Sequence, residues 1–179
     1  MRIVKCFQAT LLFLICSFII SQKASAQQKP DLSDPEIAKV AVVANQIDID
    51  NAKIAQEKSQ NNDVKNFAQT MINDHQSVIS QATALVKKLN VTPKDNATSK
   101  QLLSDAQKTQ SSLRSKSGSA FDKAYIDNEV AYHQAVINTV QNVLIPEAKN
   151  SELKQLLQNV MPTLKTHLEH AQMLQKNLK

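Results

Sequence analysis

The sequence predicts an all-α protein built around four long amphipathic helices. Glycine occurs once in 179 residues, strand-like alternation is nearly absent, and a 3.6-residue apolar period persists through four segments. About thirty polar residues separate the second segment from the third, which is enough chain to travel the length of a bundle. The expected fold is therefore a four-helix bundle with one long, partly helical crossover between helices 2 and 3, which is the ferritin-like arrangement.

The N-terminus has the order of regions found in a secretory signal peptide. Arg2 and Lys5 precede an apolar run over residues 11–20, and Ala24-Ser25-Ala26 is a small-residue cleavage site. The apolar run is about half of the ~20 residues that span a bilayer, and no later run is longer, so we expect no transmembrane segment in the mature chain. The expected organisation is a signal peptide (1–26), a disordered leader (27–35) and a ferritin-like domain (36–178).

Cleavage of the signal peptide removes the cysteines and lowers the net charge of the chain. Cys6 and Cys16 both lie in the signal peptide, so the mature chain has neither a thiol nor a disulfide. Three basic residues and no acidic residue are also removed, which lowers the formal net charge from +5 to +2. With no basic run and few aromatic residues, nucleic acid is not an expected partner. We expect an exported protein, periplasmic or associated with the outer membrane, and leave an envelope protein partner open.

The first two predicted helices bring a carboxylate and an imidazole together. Helix 1 is expected to start at the cap Asp34, with Pro35 in its first turn, and to run to about Ser59. Asp48 lies at the edge of its apolar stripe, and His75 lies on the stripe of helix 2. Counted from a loop near residue 60, the two residues are at nearly the same level of antiparallel helices, so we expect them to meet.

The crossover and the third helix follow. Residues 90–119 are polar and include a weaker amphipathic piece between Leu102 and Leu113. Helix 3 is expected from about Ser119 to Pro146. Glu129 precedes His133 by four residues, so the two share one face of this helix.

The fourth predicted helix begins near Ala148 and carries His167 on its apolar stripe. Pro162 removes an amide donor inside this helix and is expected to kink it. Measured from a turn near residue 147, His167 is level with Glu129 and ~7 Å along the axis from His133. His170, one turn later, is expected to be exposed or to support the site.

Three of the four histidines therefore lie on apolar stripes of different helices, where a buried imidazole must find a partner or bind something. Imidazole nitrogens and carboxylate oxygens together suit zinc, copper or iron. The alternative is a set of core histidines hydrogen-bonded to Asp48, Asp74, Glu129 or a tyrosine hydroxyl, in a non-catalytic envelope interaction protein. The candidate metal ligands are His75, His133, His167, Asp48 and Glu129.

Other chemistries lack their motifs. A ferritin-like di-iron site requires Glu three residues before a histidine, and the residues three before His75 and His167 are Ile72 and Leu164. The mature chain has no cysteine nucleophile, and one glycine is too few for a phosphate-binding loop. We assign no catalytic residue and expect no organic cofactor.

Three histidine-containing runs resemble the bacterial domain-of-unknown-function family 4142. They are FAQTMINDH over residues 67–75, FDKAY from residue 121 continuing to His133, and MPTLKTHL over residues 161–168. The resemblance covers about residues 36–178 and implies a ferritin-like fold and export, for a family with no settled activity whose members are often labelled predicted outer membrane proteins. The acidic position of the first helix is usually Glu in that family, and the matching residue here is Asp48.

Overall fold

Residues 31–178 are described by a computed structural model, and all regular structure within this range is helical. The predicted signal peptide lies outside the described residues. No helix in the described range is long and apolar enough to cross a membrane. A π-helical segment, Val140–Leu144, and one turn, Ile145–Glu147, continue the fourth helix. The five helices are α1 (Asp34–Lys58), α2 (Asn62–Lys88), α3 (Ala97–Arg114), α4 (Gly118–Thr139) and α5 (Ser151–Asn177).

The helix α3 is the predicted crossover, and it runs along α1 in the same direction. At its start, Nδ2 of Asn96 donates to the carbonyl of Glu36 at 3.1 Å. At its end, Nζ of Lys58 donates to the carbonyl of Arg114 at 2.8 Å. Gly118, the only glycine of the sequence, then turns the chain into α4 with φ +56°, a conformation that costs glycine little. The long connection is confirmed and is more helical than the sequence predicts.

Contacts at the two ends of α1 give the direction of α4 and α5. Where α1 ends, Oγ of Ser59 donates to Oδ1 of Asp122 near the start of α4, at 2.6 Å. Where α1 begins, the carboxylate of Asp34 accepts the amides of Lys149 and Asn150 at 2.9 and 3.0 Å, just before α5. Helices α2 and α4 are therefore parallel to each other, as a bundle with one long crossover requires.

Two predicted helix starts were wrong by one to three residues. Ser33, and not Asp34, caps α1, and the amide of Ser33 donates to Oε2 of Glu36 at 3.0 Å. Asp34 is not the cap because its carboxylate holds the loop before α5. That helix begins at Ser151 after the cap Asn150, and not near Ala148.

The expected leader does not extend to residue 35. Leu32 is buried, and its amide donates to Oε2 of Glu147 at 2.9 Å. The structure of α1 already begins at Asp34. Residues 31–35 are therefore part of the packed domain, because Leu32 fills the apolar end of the bundle where α4 ends.

Helix α1 buries more of its surface than one stripe. The predicted stripe runs through Ile37, Val40, Ile47 and Ile54. Val43 and Ile49 lie outside it but are only 6% and 4% exposed. Val43 packs with Ile47 and with Ala106 of α3, so the crossover covers a second face of α1. Leu103, which belongs to the weaker amphipathic piece of the crossover, is 45% exposed.

Apart from the small group of Val43, Ile47 and Ala106, the apolar core of the described residues is divided into two clusters at opposite ends of the bundle. A polar layer lies between them. Along each of α1, α2, α4 and α5, a buried carboxyl or imidazole side chain separates the residues that belong to one cluster from those that belong to the other. One cluster is centred on Phe67, Met71, Phe121, Tyr125 and Leu174. The other is centred on Leu32, Ile37, Leu144, Leu157 and Leu164.

Candidate metal centre

Four helices each supply one buried side chain to the polar layer. Asp48 of α1, His75 of α2, His133 of α4 and His167 of α5 are between 1% and 4% exposed. The imidazole centroids are 5.7 Å apart for His75 and His133, 5.2 Å for His75 and His167, and 5.4 Å for His133 and His167. One potential ligand atom from each of the three histidines lies within 4.8 Å of the others. The three imidazoles thus converge inside the bundle.

The expected offset between His133 and His167 was wrong. The turn that joins α4 to α5 spans residues 148–150 and is not centred on residue 147. This shift in the turn moves the α4 residue that faces a given residue of α5 by about one helical turn. The π-helical segment Val140–Leu144 also places more residues in each turn of α4. His167 therefore lies beside His133, and α5 continues as helix through Pro162.

One nitrogen of each ring is held by a hydrogen bond to an oxygen. Nδ1 of His75 donates to Oδ1 of Asn45 at 2.7 Å, and Nε2 of His167 donates to Oδ2 of Asp74 at 2.9 Å. Nδ1 of His133 donates to the backbone carbonyl of Glu129 at 3.0 Å. The amide of Asn45 is oriented because its Nδ2 donates to the carbonyl of Ala41. We call these three the outer nitrogens; since their partners accept, each outer nitrogen carries the proton of a neutral ring.

The remaining nitrogens, which we call the inner nitrogens, are Nε2 of His75, Nε2 of His133 and Nδ1 of His167. All three are buried and have no hydrogen-bond partner among residues 31–178. In neutral rings protonated at the outer nitrogens, each inner nitrogen presents a lone pair. Ligating histidines in metal sites have this arrangement, with the far N–H held by a carboxylate, carbonyl or similar oxygen. In each ring, one nitrogen is thus satisfied by a hydrogen bond, and the other keeps the lone pair that a metal ion requires.

Asp48 is the carboxylate that approaches the inner nitrogens. Its Oδ2 lies 3.3 Å from Nε2 of His75 and 3.5 Å from Nε2 of His133. No N–H or hydroxyl group in the described part of the chain donates to either of its carboxylate oxygens, and the carboxyl of Glu129 lies close enough to share a proton with it. The meeting of Asp48 and His75 that the helix register predicts is therefore confirmed, with one carboxylate oxygen between two imidazoles.

Glu129 lies behind His133, on the side of its outer nitrogen. Its Oε2 is 3.6 Å from Nδ1 of His133, while Oε1 accepts a long hydrogen bond from Asn128 at 3.5 Å. Glu129, Asp48 and His133 form a second group whose potential ligand atoms lie within 4.8 Å of one another. Glu129 thus joins the polar layer next to Asp48, and its backbone carbonyl orients the ring of His133.

Burial controls the charge of these groups. Burial and the neighbouring imidazoles lower the pKa of His75 to about 3, and burial lowers the pKa of His133 to about 4. Burial also lowers the pKa of His167. In contrast, burial raises the pKa of Asp48 to about 8, and burial together with the charge of Asp48 raises the pKa of Glu129 well above its usual range. At neutral pH the rings are neutral and available as ligands.

We expect the metal-free protein to lose stability between pH 6.5 and pH 8. Asp48 in the unfolded chain is ionised above about 4, whereas in the folded chain it keeps its proton up to about pH 8, so the folded state binds the extra proton. The histidines act in the opposite direction around and below their ordinary pKa of 6.5, which offsets part of the decrease near pH 6.5, whereas the raised pKa of Glu129 adds to the decrease. Denaturant unfolding in the presence of a chelator should show a decrease on the order of 1–2 kcal/mol over this interval.

The substitution Asp48→Asn is the control for that titration. It removes the ionisable group and keeps the size of the side chain, so the decrease between pH 6.5 and pH 8 should become smaller. A free energy of unfolding that stays constant or increases over this interval in the wild-type protein would contradict the assignment of a protonated buried carboxyl.

Sequence reasoning did not identify Asn45 as the partner of His75. A signal was present, because Asn45 precedes Asp48 by three residues and so lies on the same side of α1. Neither tyrosine serves as a partner of the imidazoles: the hydroxyl of Tyr132 donates to the carbonyl of Ala44 at 2.9 Å, and that of Tyr125 has no partner among the described residues. His170, which was expected to be exposed or to support the site, packs edge-on against Phe67 with centroids 5.2 Å apart.

Comparison with known proteins agrees with this architecture. A solved structure described as "CopM in the Cu(II)-bound form" matches with a TM-score of 0.63 at 17% sequence identity, covering 83% of this chain and all of that one. At this identity the likeness establishes the fold alone. No curated protein matches the chain. A family model described as "Domain of unknown function (DUF4142)" matches residues 20–174. The chain therefore belongs to the DUF4142 family, as the three histidine-containing runs predict.

Proposed function

We propose that this protein binds one divalent transition-metal ion through His75, His133 and His167, with Asp48 as the fourth ligand. The observation that carries the proposal is that one ring nitrogen from each of the three buried imidazoles lies within 4.8 Å of the others, while one nitrogen of each ring is already held by a hydrogen bond and the other has no partner among residues 31–178. Three neutral imidazoles and one carboxylate form a donor set that zinc and copper accept. Buried polar atoms without a partner are costly, so four such side chains at one level favour a bound ion over a purely structural role.

Glu129 has a different role in this proposal, although it was also a candidate ligand. Its carboxylate approaches the outer nitrogen of His133, with Oε2 at 3.6 Å, and not the inner nitrogen that we propose as the ligand. We assign it to hold His133 through its backbone carbonyl and to lie beside Asp48 as a protonated acid when Asp48 is ionised. An acidic group next to a ligand pair in this way tunes affinity without coordinating the ion.

Copper(II) is the ion that we propose. Nitrogen and oxygen donors suit Cu(II), which binds most sites of this type more tightly than zinc or iron. The structural match to a protein described in a Cu(II)-bound form supports the same choice. The order of charged, apolar and small residues in 1–26 further supports export, and hence a role in holding copper in the bacterial envelope.

The test is a titration of the exported, metal-free protein. Its mass should correspond to a chain that begins at Gln27, and elemental analysis after dialysis should give one copper per chain. Isothermal titration should show Cu(II) bound more tightly than Zn(II), and electron paramagnetic resonance of the Cu(II) form should show coupling to imidazole nitrogens. The absence of a stoichiometric ion after exposure to copper, zinc and iron would sink the proposal.

A further inference from the structure

The polar layer forms one end of an internal cavity that the four proposed ligands do not fill. The cavity has a volume of about 310 Å³ and is lined by residues of all five helices. Exposed Asp105 of α3 is among the lining residues, so the cavity reaches the surface beside the crossover.

The lining changes from polar to aliphatic along the helix axis. On α2 it passes from His75 through Ala82 to Leu85, a rise of about 15 Å at ~1.5 Å per residue. On α4 and α5 the same change leads away from His133 and His167 towards the opposite end of the bundle. We call this aliphatic part the apolar arm; it includes Val78, Ala82, Leu85, Val136, Val140 and Leu157.

The size of the cavity is that of a site for a small organic molecule. A dry cavity of about 150 Å³ lined by aliphatic residues is enough to hold benzene, and ligand sites begin near 300 Å³. Water gains few hydrogen bonds in an aliphatic arm, because it needs two to four polar partners. An aliphatic chain is the group that such an arm favours.

The charge at the polar end of the cavity determines which head group an aliphatic ligand should carry. The three imidazoles are neutral ligands, and Asp48 contributes one negative charge, so a divalent ion and these four ligands together carry one positive charge. Asp74, whose carboxylate accepts from His167, is 43% exposed, so water screens its compensation of that charge. A buried charge of this type is stabilised when an opposite charge lies next to it. A head group with one negative charge and an oxygen donor meets both requirements.

We infer that the cavity binds an aliphatic monocarboxylate, with its head at the metal held by His75, His133 and His167 and its chain in the apolar arm. This inference rests on the proposed metal site, and it adds a second ligand class to that site. The chain length sets the affinity, because each added methylene that enters the arm leaves water.

Octanoate and its shorter homologues are the probes. Isothermal titration of the Cu(II)-loaded protein with acetate, butyrate, hexanoate and octanoate should show affinity rising about fourfold per methylene, and thus about 4,000-fold over the six methylenes from acetate to octanoate. The Cu(II) resonance spectrum should shift on saturation, because the carboxylate enters the surroundings of the ion. Binding that is absent, or equal for acetate and octanoate, would overturn the inference.

Two leucine substitutions on α2 distinguish an effect in the apolar arm from a general effect on the protein. Ala82→Leu fills part of the arm, whereas Ala84→Leu adds the same group at an exposed position two residues away. Ala82→Leu should weaken octanoate binding at least about 10-fold while leaving acetate binding and copper content unchanged; Ala84→Leu should change none of them. Equal effects of the two substitutions would contradict the inference, and the chain-length series on the wild type decides it if Ala82→Leu does not fold.

The failure of this inference and that of the proposed function give different results. If the protein takes up one copper ion but shows no dependence on chain length, only the monocarboxylate site is wrong. If it takes up no stoichiometric metal, the metal site is wrong and the inference falls with it.

Discussion

Replacing His133 by alanine should lower the affinity for Cu(II) by more than about 100-fold, because a change in a residue that only orients a ligand already costs about 10- to 100-fold. His133 is 1% exposed, and its inner nitrogen lies 3.5 Å from Oδ2 of Asp48. Its removal leaves two imidazoles and one carboxylate for the ion. Competition against a chelator of known affinity measures the loss. Thermal unfolding with and without copper measures it independently, since an ion that binds only the folded state stabilises it by RT ln(1 + c/Kd), where c is the concentration of the free ion.

His170→Ala is the matched control for this prediction. His170 lies on α5, three residues after His167, but contacts Phe67 and not the inner nitrogens. Its removal should leave copper affinity within a few-fold of the wild type. Asn45→Ala, which releases the outer nitrogen of His75, should fall between the two, at about 10- to 100-fold. If His133→Ala and His170→Ala lose affinity equally, the three-imidazole site is wrong.

Replacing Phe67 by alanine should destabilise the protein by about 3–5 kcal/mol, the cost of deleting a fully buried phenyl ring. Phe67 has no exposed surface and packs edge-on against Tyr125, with ring centroids 6.2 Å apart. Because a domain of this size is stabilised by about 5–15 kcal/mol in total, the loss is a large fraction of the whole. Urea or guanidinium unfolding of the metal-free protein measures it directly.

Met173→Ala serves as the reference for that measurement. Met173 lies on α5 and is 53% exposed, so its truncation should cost less than about 0.5 kcal/mol. A loss below about 1 kcal/mol for Phe67→Ala would mean that the cluster around Phe67 is loosely packed, contrary to the complete burial of Phe67, Met71 and Tyr125.

Local pattern was sufficient to predict the helices and the residues that enter the polar layer. The apolar stripe that contains Met71 and Ala82 places His75 on the buried face of α2, and equal distances from one loop place it level with Asp48. The predicted position of His167 along the bundle axis was less accurate. It depends on where the connection between α4 and α5 turns and on a π-helical segment that has no simple sequence signal.

The sequence by itself determined an all-helical bundle, the crossover and the burial of His75, His133 and His167, since apolar periodicity and connection length are properties of the local chain. Only the tertiary structure decided which nitrogen of each ring faces inward. That choice depends on Asn45 for His75, on the carbonyl of Glu129 for His133 and on Asp74 for His167. Two of these partners come from neighbouring helices, and the direction of a ring is set by packing between helices that no single segment encodes.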